Sequence, residues 1–284
     1  MSQVDSRLVV DSRLACAIER GDRLAILTGA GVSTGSGIPD YRDDEGQWKH
    51  AKPVMFQDFM TQHSIRQRYW ARSMLGWPRM AKAQPGAAHR AITSLQRAAR
   101  VQRLITQNVD SLHQRAGSNA VIDLHGRLDE VRCMDCQLVL PRSDWQQSIA
   151  ELNPHWQAEV VAVRDAPDGD AILERADYGA FAVPDCPTCG GIVKPEVVFF
   201  GENVPRLRVE AAYDAVARAD GLLVAGSSLM VFSGFRFARR CVELGKPLYL
   251  LNRGKTRADD IATEHLYLDC GDALSAIVEQ LEVQ

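Results

Sequence analysis

No stretch of the 284-residue chain approaches the ~18 apolar residues in a row that a membrane-spanning helix requires. The longest apolar run, Leu222 to Phe232, is broken by Gly226, Ser227 and Ser228, so no membrane partner is expected. An excess of charge of one sign is also missing: 33 Lys and Arg stand against 36 Asp and Glu, a net of −3. That balance leaves no basic footprint for nucleic acid. Repeats and low-complexity tracts are absent, and a composition of 46% hydrophobic and 24% charged residues excludes collagen, coiled coil and a disordered chain. Met1 to Leu14 has no apolar core of signal-peptide length, and Asp5 and Asp11 speak against an acid-poor transit peptide. The expected location is the cytoplasm. A disulfide framework is lacking too: there are seven Cys, an odd number, and four of them form two tight pairs.

What is present is apolar residue, 46% of the chain, enough to bury a full core. The length exceeds the ~100–150 residues of a common single domain, which favours one large domain with a smaller insert. Short apolar runs at Leu24–Leu27, Arg103–Thr106, Val121–Leu124, Val197–Phe200, Gly221–Ala225 and Pro247–Leu251 read as strands buried on both faces. Helical spacing follows over Ala87–Arg100, Arg206–Ala219, Phe232–Leu244 and Asp272–Leu281. Strands alternating with helices predict a mostly parallel α/β sheet covered on both sides. The segment Val54 to Met80, with Phe56, Phe59, Tyr69, Trp70 and Trp77, has no strand signal and reads as two helices forming a cap with an apolar groove. Trp145–Glu151 reads as helix and the polar stretch Val163–Asp177 as a loop. The expected division is an α/β domain over 1–50, 81–128 and 192–284, a helical cap over 51–80 and a cysteine-bearing module over 129–191.

The motifs fall where strands end. Leu24–Leu27 runs into Thr28-Gly29-Ala30-Gly31-Val32-Ser33-Thr34-Gly35, and glycines there let a backbone approach a phosphate. Their spacing departs from the usual dinucleotide fingerprint, so a tight structural turn is an equal reading. Gly37-Ile38-Pro39-Asp40-Tyr41-Arg42 continues the loop, and a solvated surface loop is the plain alternative. Thr106-Gln107-Asn108-Val109-Asp110 and Leu124-His125-Gly126 set amides, a carboxylate and an imidazole on the same sheet edge, the makings of an acid–base site. Gly226-Ser227-Ser228-Leu229 and Asn252-Arg253-Gly254 end two later strands, where small or hydrogen-bonding groups suit a ribose or phosphate. Met55, Met60, Trp70 and Trp77 read either as core or as the wall of an acyl pocket.

Cys133-Met134-Asp135-Cys136 and Cys186-Pro187-Thr188-Cys189-Gly190-Gly191 are two knuckles separated by 49 residues. Four thiolates close a tetrahedral zinc sphere and leave no open position for substrate, so Cys133, Cys136, Cys186 and Cys189 point to one structural Zn²⁺; redox activity of each pair is the alternative. Cys16, Cys241 and Cys270 read as buried thiols.

Taken in order from about Leu24 to Gly271, these motifs, with Lys194-Pro195 and Phe200-Gly201-Glu202 between them, resemble those of the sirtuins, NAD-dependent protein lysine deacylases. Tyr41, Ser233-Gly234-Phe235-Arg236-Phe237 and Asn252-Arg253-Gly254-Lys255-Thr256-Arg257 are most similar to the class II branch, which includes the lipoamidase-type sirtuin. The resemblance implies a Rossmann-like domain with an inserted small zinc-binding domain, and NAD meeting acyl-lysine between them. It implies Gly29, Ala30, Gly31 and Ser33 at the diphosphate, Gln107 and Asn108 at the ribose, and Ile38 and Asp110 in the nicotinamide pocket. Asp40, Tyr41 and Arg42 would form the cofactor loop, and Gly226, Ser227, Ser228, Asn252, Arg253, Gly254 and Cys270 the adenosine end. Extended substrate would lie between Val198–Gly201 and Leu229–Ser233, with Val198, Phe200, Gly201, Leu229 and Phe232 against it. In the implied mechanism the acyl oxygen attacks the ribose carbon as nicotinamide leaves. His125 then acts as general base and Asn108 positions ribose or water, giving free lysine and O-acyl-ADP-ribose. Tyr69 with Arg72, or Arg66, could select acidic acyl groups; acetyl, longer acyl, lipoyl and branched dicarboxyl groups all stay open. An NAD-dependent protein ADP-ribosyltransferase and a non-catalytic NAD-binding zinc module are the alternatives. The implied partners are acylated-lysine proteins, and a monomer is expected.

Overall fold

The computed structural model describes residues 9, 11–47, 49, 54–156, 163–165, 171–173 and 177–283. Helix α1 (Arg13–Arg20) opens where the Ser12 hydroxyl accepts the Ala15 N–H and closes on Gly21 at φ 103°, a left-handed stop that glycine adopts freely. Strand β1 (Leu24–Thr28) is buried at every position. Then come α2 (Phe56–Thr61), α3 (His63–Lys82), α4 (Ala87–Arg97), β2 (Val101–Thr106), α5 (Leu112–Arg115) and β3 (Ile122–Asp123). The chain continues through β4 (Gly126–Cys133), β5 (Val139–Pro141), α6 (Arg142–Leu152), β6 (Val163–Asp165), β7 (Ala171–Leu173) and β8 (Val193–Val197). It ends with α7 (Arg206–Arg218), β9 (Gly221–Ala225), α8 (Phe232–Glu243), β10 (Leu248–Leu251), β11 (Glu264–Leu266) and α9 (Cys270–Val283).

Six parallel strands form one sheet in the order β11-β10-β9-β1-β2-β3. Thr28 of the central strand lies opposite both Thr106 and Ala225, so three strand ends stop level with one another. One face is covered by α1, α4 and α9 through Leu14, Ile18, Ile92, Leu95, Leu274 and Ile277. The other is covered by α7 and α8 through Ala212, Val216, Phe237 and Cys241. This is the Rossmann-like α/β arrangement, with both faces of the sheet buried as parallel strands require.

A second, antiparallel sheet, β5-β4-β8, carries the cysteine pairs at its end. Its core is shared with the cap: Phe59, Tyr69, Trp70 and Met74 of α2 and α3 pack in one cluster with Trp145, Ile149, Cys133 and Cys186. The strand expected over Val197–Phe200 lies instead over Val193–Val197 and pairs with β4, not with the parallel sheet. It ends opposite Gly126, where β4 begins, and the buried Lys194 ammonium turns back to take the Pro195 and Val197 carbonyls and Glu202 Oε2 at 3.2 Å. The following residues then turn, with Gly201 at φ 80°. The stretch Val163–Asp177, expected as a loop, contains the antiparallel pair β6 and β7; its residues 166–170 and 174–176 lie outside the described ones. Among the described residues no helix is long and apolar enough to cross a membrane.

Candidate active site

Because the parallel strands end in register, the loops after β1, β2, β9 and β10 meet along one edge. The first and third touch backbone to backbone: the Gly31 N–H donates to Gly226 O at 2.8 Å, and a Cβ on Gly31 would stand 2.8 Å from Gly226 Cα. Only glycine permits that approach. Next to it the Ser33 hydroxyl donates to Asp110 Oδ2 at 2.6 Å and accepts from Asn108 Nδ2 at 3.0 Å. Asn108 Nδ2 also donates to Gly29 O at 3.0 Å. Gln107 Nε2 donates to Ser227 Oγ at 2.8 Å, so the amide pair after β2 ties the loops after β1 and β9 together.

These groups open into one cavity of about 520 Å³. Its wall holds Gly29, Ala30, Gly31, Ser33 and Ile38 from the first loop and Gln107, Asn108 and Asp110 from the second. Asp40, Tyr41 and Arg42 line it as well; Lys49 Nζ pairs with Asp40 at 2.6 Å and Arg42 Nη1 donates to Gly46 O at 2.7 Å. The wall also holds Gly226, Ser227, Ser228, Asn252, Arg253, Gly254 and Cys270. Asn252 Nδ2 donates to Gly254 O at 2.8 Å and Arg253 pairs with Asp269 at 2.8 Å. Burial pushes the Cys270 thiol up to about 12, so it stays protonated, and its Sγ donates to Leu251 O.

His125 stands between the two sheets. Its Nδ1 lies 3.0 Å from Gln107 O and its Nε2 lies 2.8 Å from Ser233 Oγ. A carbonyl only accepts, so Nδ1 carries the proton and the lone pair is on Nε2. Burial holds the imidazole down at about 4, against an ordinary 6.5. The ring is therefore neutral near pH 7, with a proton-accepting nitrogen facing the cavity that it lines.

The remaining expected positions divide. Val198, Phe200, Gly201 and Leu229 line the cavity, whereas Phe232 is absent from its wall and 49% exposed, beside the Arg236 guanidinium. Phe200 O already accepts from the Phe56 N–H at 2.8 Å, which anchors the cap. Of the cap, Val54 and Tyr69 reach the cavity. Met55, Met60, Trp70 and Trp77, weighed as an acyl wall, do not line it; Trp70 is core, wedged between Tyr69 and Trp145. Arg72 and Arg66 do not line it either, and Arg66 Nη1 is spent on Phe59 O and Met60 O.

About the other end of β4 the four sulfurs of Cys133, Cys136, Cys186 and Cys189 lie within 4.8 Å of one another. Cys133 and Cys189 stand 3.5 Å apart, Cys136 and Cys186 3.7 Å. Tetrahedral ligation with Zn–S bonds of ~2.3 Å places sulfurs about 3.8 Å apart, so the cluster fits one structural zinc.

Comparison with known proteins agrees with this geometry. The Sir2 family matches over residues 29–233, nearly three quarters of the chain. The chain belongs to the Sir2 family. A relative from Xanthomonas axonopodis pv. citri (strain 306), named NAD-dependent protein deacetylase, is 55% identical over 258 residues, covering 91% of this chain and 87% of its own. One of the same name from Bordetella bronchiseptica (strain ATCC BAA-588 / NCTC 13252 / RB50) is 51% identical over 275 residues, covering 97% and 100%. Among solved structures, the chain is similar to one described as Sir2-p53 peptide-NAD+, with TM-score 0.77, 30% identity and coverage of 96% and 99%.

In this Sir2 family member several cavity residues carry no expectation from the sequence: Lys49, Leu128, Asn203 and Asp269. Most are brought in by loops whose sequence has no motif of its own. Ser233, expected as the end of the substrate stretch, also lies in the first turn of α8 and reaches His125.

Proposed function

We propose that this chain is an NAD-dependent protein lysine deacylase that takes acylated-lysine proteins or peptides as partners. The observation that carries the reading is His125, a neutral imidazole whose Nε2 faces the same cavity that the glycine loops and the Asn108–Ser33–Asp110 cluster enclose. The donor set suits NAD: amides at Gln107, Asn108 and Asn252, hydroxyls at Ser33 and Ser227, and close glycine backbone at 29, 31 and 226. Bound NAD would supply a ribose carbon that already carries a leaving group, nicotinamide. Ser33 and Asn108, locked by their mutual hydrogen bond, would orient the ribose, and Asp110 and Ile38 would enclose the ring that leaves. His125 Nε2 would accept a proton from a ribose hydroxyl, and Nδ1–H, held by Gln107 O, keeps that nitrogen the acceptor. The cysteine cluster lies at the opposite end of β4 from His125–Gly126. Zinc there would hold the module together and take no part in bond making.

The substrate chain would run past Val198–Gly201 and Leu229, pairing main chain to main chain, while the acyl-lysine enters between them. Val54, Tyr69, Val109 and Leu128 give that end of the cavity an apolar wall, which favours uncharged acyl groups, acetyl or longer, over dicarboxyl ones. Cysteines without a disulfide among the described residues suit a cytoplasmic setting. Incubation with NAD and a panel of acetyl-, longer-acyl-, lipoyl- and dicarboxyl-lysine peptides, read by peptide mass, tests the proposal. Loss of an uncharged acyl mass with release of nicotinamide is expected. A gain of ADP-ribose mass would make the chain a transferase, and no nicotinamide release from any peptide would overturn the enzymatic reading.

A further inference from the structure

The His125 ring is gripped on both sides by groups from different elements. Gln107 O, at the end of β2, takes the Nδ1 proton at 3.0 Å, and Ser233 Oγ, in the first turn of α8, meets Nε2 at 2.8 Å. With Nδ1 protonated, the serine must be the donor and Nε2 the acceptor. The two grips are built against each other. A Cβ on Gly234 would stand 2.4 Å from Gln107 Oε1, so the start of α8 is seated directly on the residue whose carbonyl holds the opposite side of the ring. Gln107 is itself fixed by its bond to Ser227 Oγ. The serine hydroxyl is not spent on its own helix: the N-cap of α8 is Val231, and no side chain caps the helix. One turn on, Arg236 lines the same cavity, and its charge, with that of Arg208, disfavours a second positive charge on His125.

With only the Nδ1 bond, the ring could swing about the line to Gln107 O and carry Nε2 away from an arriving hydroxyl. We infer that Ser233 is the positioning residue of the base: its hydroxyl engages the Nε2 lone pair in the free protein, fixes the ring plane and yields its place to the ribose hydroxyl. The inference rests on the proposed role of His125. It also assigns a purpose to Gly234, whose missing side chain lets α8 come close enough for Ser233 to reach.

The test uses the full chain as wild type, Ser233→Ala, Ser233→Thr and His125→Ala, with NAD and an acetyl-lysine peptide. Product formation needs the base, whereas exchange of labelled nicotinamide reports the bond cleavage that precedes it. Ser233→Ala is expected to lose roughly tenfold in product formation, part of what a general base contributes, and about twofold or less in exchange. Ser233→Thr, which keeps a hydroxyl, is expected to recover most of the loss. As a readout apart from activity, diethyl pyrocarbonate should modify His125 several times faster in Ser233→Ala than in wild type, mapped by peptide mass, because the lone pair is uncovered. Equal product formation and equal modification in Ser233→Ala and wild type would overturn the inference. So would exchange falling in proportion to product, the mark of a general disturbance. If His125→Ala still forms product, the base assignment itself fails; if it is inactive while Ser233→Ala behaves as wild type, only the role of Ser233 fails.

Discussion

At the residue scale the chemistry depends on the protonation of one ring. Burial lowers His125 to about 4, so the neutral form dominates above that value and protonation abolishes the base only below it. The rate at limiting substrate should therefore be flat in this group from about pH 6 to 8. A limb near the ordinary 6.5, followed in a pH–rate profile, would contradict the buried setting. The same shift is linked to stability. His113, buried beside His89 and hydrogen-bonded to Thr28, is lowered by burial to about 3. Both folded values lie below 6.5, so the unfolded chain binds more protons in the acid range. The stabilising contribution is whole above 6.5 and drains away as pH falls toward 4 and then 3. The urea midpoint should drop between pH 7 and pH 5; a midpoint unchanged or higher at pH 5 would count against it. His125 and Asn108 were legible because each sits beside a strand end. Ser233 was legible only as the end of a substrate stretch, and its bond to His125 was not, because that partner lies 108 residues away in the chain.

At the element scale the small sheet is where sequence and structure part. The apolar run through Phe200 looks like continuous strand, yet β8 ends at Val197, opposite Gly126 where its partner β4 begins, Phe200 pairs with Met55 instead, and Lys194 turns its ammonium onto the Pro195 and Val197 carbonyls. No local pattern announces a lysine that turns back on its own strand. Gly126 shows the opposite case, a motif glycine with a definite task. It stands at φ 81°, and a Cβ there would lie only 1.9 Å from Glu196 O. Gly126→Ala should cost at least about 1–3 kcal/mol from the left-handed backbone alone, with the collision added, measured by urea denaturation; a loss under half a kcal/mol, ~0.5, would sink the argument. The cysteine cluster makes a separate claim. Metal analysis should find about one zinc per chain, and Cys186→Ser should lower metal content and thermal stability together. Full metal retained in that variant would remove the tetrahedral assignment.

At the scale of the whole molecule the parallel sheet and the cavity at its carboxyl edge follow from strand–helix alternation and from where the glycine loops fall. What the sequence could not disclose is that the cap and the cysteine-bearing sheet share a core. Trp70 touches Trp145 with ring centroids 5.5 Å apart, and Phe59 touches Phe199 at 5.1 Å. Contacts so distant in the chain have no local signature. The cavity is thus walled by three bodies of structure at once, and a ligand that fills it should tie them together. NAD at about a hundred times its dissociation constant should stabilise the fold by about 2.7 kcal/mol, visible as a raised melting temperature. No shift at any NAD concentration would exclude the cofactor.

The central claim is that His125 serves as the base of an NAD-dependent deacylation, and the most direct measurement is the mass of an acetyl-lysine peptide after incubation with the wild-type chain or His125→Ala, with and without NAD. The account predicts loss of the acetyl mass only with wild type and NAD together, and a fall of at least about a hundredfold in His125→Ala. Deacetylation that proceeds without NAD, or undiminished in His125→Ala, would contradict it.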